Sequence, residues 1–396
     1  MQITSPSAPG LNRLASLFVA AVALTACSDA SVAPVTSPTA SAASRSESGD
    51  AGGNTGSAGA VYTETNGLAG NAIVAFRRAP SGSLTPLGTV ATGGRGIGGT
   101  VDPLQSQYAV VVNDDHDALF AVDAGTNQVS SFRIGEDGTP TLAGTVSSGG
   151  TLPVSLAVHD DLLYALNSGD NTVSGFRVTG GARLVPLPGT THALASGANG
   201  AAAVRFTPDG RQLVVTERVS NRLEVFPVRA DGRLGAPVVS PSNGAAAFGF
   251  DITSHNQPIV SETQGSLTSY ALARDGTLTP ITASISSGGK ASCWVTITGD
   301  SRFAYTTNAG SNTIAGFAVD AAGQLTALTP GAATGDAGAG ASPIDLDHVG
   351  RRWLYVLEAA RGTIGAFAIN ADGTLGPRSD TPAGAPASGF QGVAAY

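Results

Sequence analysis

A repeat of about fifty residues runs through most of this chain and constrains its fold more than any other feature. Aromatic residues close alternating segments at Phe76, Phe132, Phe176, Phe226, Tyr270, Phe317 and Phe367, at spacings of 56, 44, 50, 44, 47 and 50 residues. Six residues after the aromatic, Gly appears in six of seven units: Gly82, Gly138, Gly232, Gly276, Gly323 and Gly373. Eight residues after it, Leu appears in six of seven: Leu84, Leu184, Leu234, Leu278, Leu325 and Leu375. Asp-Gly turns at 137–138, 209–210, 231–232, 275–276 and 372–373 mark hairpins, because Gly accepts a positive φ.

Each unit reads as four short strands. Residues 292–328 split into SCWVTI, FAYTTN, NTIAGFAV and LTAL, separated by turn sequences. No segment carries a sustained helical period. Seven four-stranded units predict an all-β, seven-bladed propeller over residues 60–396. The first unit lacks a first strand, and the chain ends in a lone strand, FQGVAAY. Gln391 to Tyr396 is therefore expected to pair with residues 61–65 and close blade 1.

The start of the chain has another character. Arg13 precedes an apolar run, Leu14 to Ala23, too short for a stable membrane span. Leu24-Thr25-Ala26-Cys27 then resembles a bacterial lipobox. This predicts a signal peptide over 1–26 and lipidation at Cys27. Residues 27–59 form a Ser/Ala/Gly-rich stretch with too little apolar surface to fold, read as a tether. The expected address is the cell envelope, outer membrane or periplasm, with the membrane reached through the lipid alone. A net charge of −8 argues against nucleic acid as a partner. A monomer is expected.

Three stretches, YTTNAGSNTIAGFAVDAAGQLTAL, YALNSGDNTVSGFRV and FTPDGRQLVV, resemble the seven-bladed lactonase-like family. That family includes propeller-type 6-phosphogluconolactonases and carboxymuconate-lactonising enzymes, and the same blade motifs occur in YVTN-type surface propellers. The resemblance covers residues 60–396. It implies an Arg-His pair opening an innermost strand and a Glu ending the next strand. This chain departs from that pattern. The corresponding strands open with Ala201-Ala202-Ala203 and Ala245-Ala246-Ala247, and the following ones end in Glu217-Arg218 and Ser261-Glu262. Arg205 lies three residues beyond the family arginine.

Propeller ligands gather at the mouth of the central channel, here expected at the turns between second and third strands. Those turns carry Asp123, Asn167, Glu217, Glu262, Asn308 and Glu358, with Asn66 as a candidate for blade 1. For Asn167 and Asn308, turn chemistry competes with a ligand role. Glu has no such turn preference. Arg95, Arg218, Lys290 and Arg361 are the candidate cations. Gly94, Gly96 and Gly99 match a dinucleotide-binding pattern by letter, but no helix follows, so that reading fails. Cys293 reads as a buried small hydrophobe, and Trp294 as either a core residue or a channel-wall aromatic, the core being favoured. The five His show no metal-ligand spacing, no nucleophile elbow exists, and neither metal nor cofactor is expected.

Two functions stay open. One is lactone hydrolysis or formation on a small acidic molecule, with Glu217 or Glu262 as acid/base and Arg205, Arg218 or Lys290 holding an anionic oxygen. Asp123, Asn167, Asn308 and Glu358 would line the same mouth. The other is a non-catalytic propeller binding a glycan, peptide or protein at the cell surface. The position of Arg205 discriminates between them: a pocket shared with Glu217 favours the enzyme, and an ion pair between blades favours binding.

Overall fold

The computed structural model describes residues 58–195 and 197–396. The expected signal peptide and lipidation site, Cys27, lie outside the described residues, as does nearly all of the expected tether. The first strand begins at Gly59.

Seven antiparallel sheets stand around an axis, six with their strands in sequential order and the first completed by the C-terminal strand. The four strands expected in residues 292–328 appear as Ser292–Ile297, Phe303–Asn308, Thr313–Val319 and Leu325–Ala327. Short extra strands at His192–Ala193 and Gly335–Asp336 continue the outer edge of blades 3 and 6, pairing with the same third strand as the fourth strand does. Among the described residues the one helical element is a 3-10 turn, Ala124–Thr126. The second strands are buried on both faces, as Ala118–Asp123, Gln212–Glu217 and Phe303–Asn308 show. A neighbouring blade covers each side, so these strands read as apolar runs with many β-branched residues rather than as strict alternation. The fourth strands form the rim and are half exposed, as in Leu84–Ala91.

Ring closure follows the expected route. Gln391–Ala395 is the innermost strand of blade 1 and pairs with Gly59–Glu64, in the register Val61 to Ala395 and Tyr62 to Ala394. Tyr396 N–H adds a bond to Ala60 O at 3.0 Å.

The repeated Gly has a structural reason. It sits in the turn between third and fourth strands, with φ near 81° at Gly82, where a Cβ would collide with the Trp353 ring of blade 7. Its carbonyl accepts a bond from a Tyr on the second strand of the adjacent blade. Tyr62 donates to Gly138 O, Tyr164 to Gly232 O, Tyr305 to Gly373 O and Tyr355 to Gly82 O, at 2.6–2.9 Å. Four of the seven blade junctions are locked this way. The seven repeat aromatics all lie on third strands and are buried.

Candidate functional site

The last residue of each second strand is acidic or an amide: Glu64, Asp123, Asn167, Glu217, Glu262, Asn308 and Glu358. Register makes Glu64, not Asn66, the blade 1 member, because Glu64 pairs with Gln391 as Glu217 pairs with Ala201. All seven are almost fully buried. They turn into their own blades and meet polar groups on or beside the third strand. Asp123 accepts from the Thr92 and Ser130 hydroxyls, and Glu262 from Ser266 and Thr268. Asn308 lies 3.2 Å from Thr313 Oγ1, and Glu358 accepts from Thr363 at 2.7 Å. Asn167 donates to Thr172 Oγ1, and Glu217 accepts from Ser220. Burial pushes the Asp123 carboxyl up against the lowering effect of its hydroxyl partners. None of the seven lines any of five cavities of about 230 to 440 Å³ in the propeller.

The candidate cations scatter. Lys290 and Arg95 are exposed on connections between blades. Arg361 bridges Glu358 and Asp380 within blade 7, at 3.4 and 3.7 Å. Arg218 donates to Gln105 and lies near the buried Asp102.

That last contact belongs to a feature the repeat does not announce. Residues 100–109, leading into blade 2, fold into the axis of the ring and plug this end of the channel. Gln107, fully buried, reaches across to blade 6, where its Nε2 donates to Val295 O at 2.6 Å and its Oε1 accepts from Val295 N–H at 3.2 Å. Its own N–H bonds Ala202 O of blade 4. Ser106 Oγ donates to Val154 O of blade 3, and Trp294 Nε1 of blade 6 donates to Ser106 O. Tyr108 OH donates to Phe250 O of blade 5 at 2.6 Å. Gly249 in blade 5 has no room for a Cβ, which would strike Gln107 and the Cys293 carbonyl. Trp294 and Cys293 are thus core residues, as expected, but the core they join is the plugged axis. The sequence signal was present: the spacing from Phe76 to Phe132 is the longest of the six.

The opposite end of the channel stays open. Two adjoining cavities of about 270 and 230 Å³ lie there, and Arg205 and Pro208 line both. Arg205 projects from the inner strand Ala201–Phe206, with its guanidinium 4.8 Å from the centre of the Tyr108 ring. Its Nε lies 2.8 Å from Asp251 Oδ1 of blade 5 in an ion pair, and its side chain is 41% exposed. Its terminal nitrogens have no hydrogen-bond partner among the described residues. Burial works against the charge, but Asp251, with Tyr108 and Asp347 behind it, holds the guanidinium above its ordinary value. Asp347 and His348 of blade 7 border the same opening. The Thr296 hydroxyl lies 2.9 Å from His348 Nδ1, and Asp347 Oδ1 lies 3.6 Å from it. Burial raises the Asp347 carboxyl, opposed by His348 and by the N–H of Ala395.

The structure therefore does not bring Arg205 and Glu217 together. In the strand pairing Glu217 faces Ala201, four residues from Arg205, or roughly 13 Å at the strand rise. Arg205 makes an ion pair between blades and also faces a cavity. The residues that share this opening with it, Asp251, Asp347 and His348, were not singled out from the sequence. What they have in common is a place near the end of an innermost strand, a pattern legible once strand order is known.

The fold recurs in solved structures. A Bacteroides fragilis protein described as a candidate 6-phosphogluconolactonase superposes with a TM-score of 0.66 at 18% identity, over 85% of this chain and 97% of that one. A periplasmic gluconolactonase of Pseudomonas aeruginosa gives 0.65 at 19% identity, over 84% and 99%. A Lactobacillus plantarum protein gives 0.69 at 18%, over 85% and 98%. At such identities the likeness is one of fold. No curated protein matches the chain significantly. The family described as Lactonase, 7-bladed beta-propeller, matches over residues 61–187, 181–295 and 259–388, and the chain belongs to it.

Proposed function

We propose that this protein hydrolyses or forms the lactone of a small acidic molecule at the open end of its channel. The observation that carries the reading is Arg205. It is a cation stacked on an aromatic floor, with free donors, at the mouth of the axis in a chain of the lactonase family. In hydrolysis, water adds to the lactone carbonyl and the ring C–O bond breaks. Arg205 binds the substrate carboxylate or the carbonyl oxygen as it gains charge. His348, held by Thr296 and beside Asp347, takes the proton from water and returns one to the departing alkoxide. This assigns the proton transfer to His348 and Asp347 rather than to Glu217 or Glu262, which line none of the described cavities. The lipobox at Cys27 supports an envelope address, away from cytosolic sugar phosphates, so the substrate class is a non-phosphorylated acidic lactone.

A specific observation favours the second reading, a non-catalytic propeller binding an anionic ligand. Arg205 is already paired with Asp251, and the family's Arg-His opening is absent. A panel of lactones tested with the full chain separates the two. Turnover abolished by Arg205→Gln and His348→Gln, and kept by Glu217→Gln and Glu262→Gln, supports the enzyme. Turnover on no lactone, or turnover indifferent to Arg205→Gln, removes it.

A further inference from the structure

Blade 4 differs from the other six blades at one buried position. On each third strand, one residue lies diagonally against the carboxyl or amide that ends the second strand. Register places Ala75, Ser130, Ser174, Thr268, Ala315 and Gly365 there in the other blades. Small residues or hydroxyls suit a position facing an acid. In blade 4 the residue is Glu224, diagonal to Glu217, because Glu217 pairs with Arg222 and Val215 with Glu224. Both glutamates are fully buried.

The outer oxygens of this pair hold the connection from blade 3 to blade 4. Glu224 Oε1 accepts from Ala195 N–H at 2.7 Å, and Glu217 Oε2 accepts from Asn199 N–H at 3.3 Å and from the Ser220 hydroxyl. The inner oxygens, Glu217 Oε1 and Glu224 Oε2, have no donor. The register sets the two side chains on one face of the sheet as diagonal neighbours, a spacing that long side chains can bridge. Two buried acceptors on one diagonal, each with an oxygen that lacks a donor, are satisfied together by one proton. The inner strand presents Ala201, the fourth strand presents Val239, the connection presents backbone amides, and Arg222 is the cation that bears on Glu224.

We propose that Glu224 carries a proton that it donates to Glu217, and that this bond acts as a pH sensor that holds Ala195 and Asn199 against blade 4 when the proton is present and loosens them when it leaves. Burial and the neighbouring carboxyl push Glu224 well above the ordinary range, so release falls on the alkaline side of it. The connection leads directly into the inner strand that carries Arg205. This inference stands whether or not the opening is catalytic.

Hydrogen exchange of the full chain across about pH 5 to 9, corrected for intrinsic rates, tests it. Protection at Ala195 and Asn199 should fall about tenfold per pH unit above the transition. In Glu224→Gln the amide donates to Glu217 at every pH, and the profile should be flat. Glu224→Thr, which installs the residue blade 5 uses, should also be flat. A flat profile in the unaltered protein overturns the proposal, and so does a pH dependence that survives either variant.

Discussion

Replacing Gln107 by Glu should loosen the channel plug without changing its shape. Gln107 uses donor and acceptor together on the N–H and C=O of Val295, at 2.6 and 3.2 Å, much as a strand residue would. A carboxylate keeps the acceptor and loses the donor, leaving the buried Val295 carbonyl unpaired against a second oxygen. One lost bond plus the desolvated carbonyl amounts to about 2–4 kcal/mol. Unfolding entropy is about 2.1 cal/mol/K per residue, near 0.7 kcal/mol/K for a propeller of this size, so Tm should drop by about 3–6 °C. Burial raises such a carboxyl, so calorimetry at about pH 9, where it is ionised, reads this directly. As pH falls the buried carboxyl regains its proton, donates to Val295 O, and should recover most of the loss. A Tm at about pH 9 equal to that of the unaltered protein would show that the plug is not seated on blade 6.

Three further expectations follow from the same geometry. Arg205→Lys keeps a cation but loses the planar contact with Tyr108 and the fixed bond to Asp251, so binding of an anionic ligand measured by calorimetry should weaken about tenfold or more; unchanged affinity would place the ligand elsewhere. Tyr355→Phe removes the donor to Gly82 O at one blade junction and should cost about 1 kcal/mol in denaturant titrations. A fully neutral result would make that junction a packing contact alone. The third concerns pH: burial pushes Asp345 up to about 8 and raises Asp102 and Glu64 as well. A carboxyl raised by folding gives stability that is complete below the ordinary carboxylate range and is lost as pH climbs through the raised value. Tm should therefore fall between about pH 5 and 8, with a shallower slope in Asp345→Asn; a rising Tm over that window would contradict the burial assigned to these groups.

Blade number, strand order and ring closure were legible in the sequence because each depends on local pattern. The aromatic at Phe317, the turn at Gly323 and the strand start at Leu325 are set within ten residues of chain, and the repeat states that rule seven times. The orphan strand at Gln391–Ala395 could be matched to blade 1 by the same counting. The chain also showed that acids and amides end the second strands. It did not show that Glu217 and Glu262 turn into their blades, since burial there depends on what hydroxyls and connections pack over them.

Which end of the channel is open was decided by tertiary structure alone. Gln107 and Val295 are 188 residues apart, and no periodicity relates them. Only the closed ring brings blade 6 within reach of the segment before blade 2, and that one insertion moves the accessible chemistry from the second-strand ends to Arg205. Repetition encodes the blades because their bonds are between neighbours in the chain. The axis belongs to no single repeat, so its contents follow from the residue that departs from the pattern.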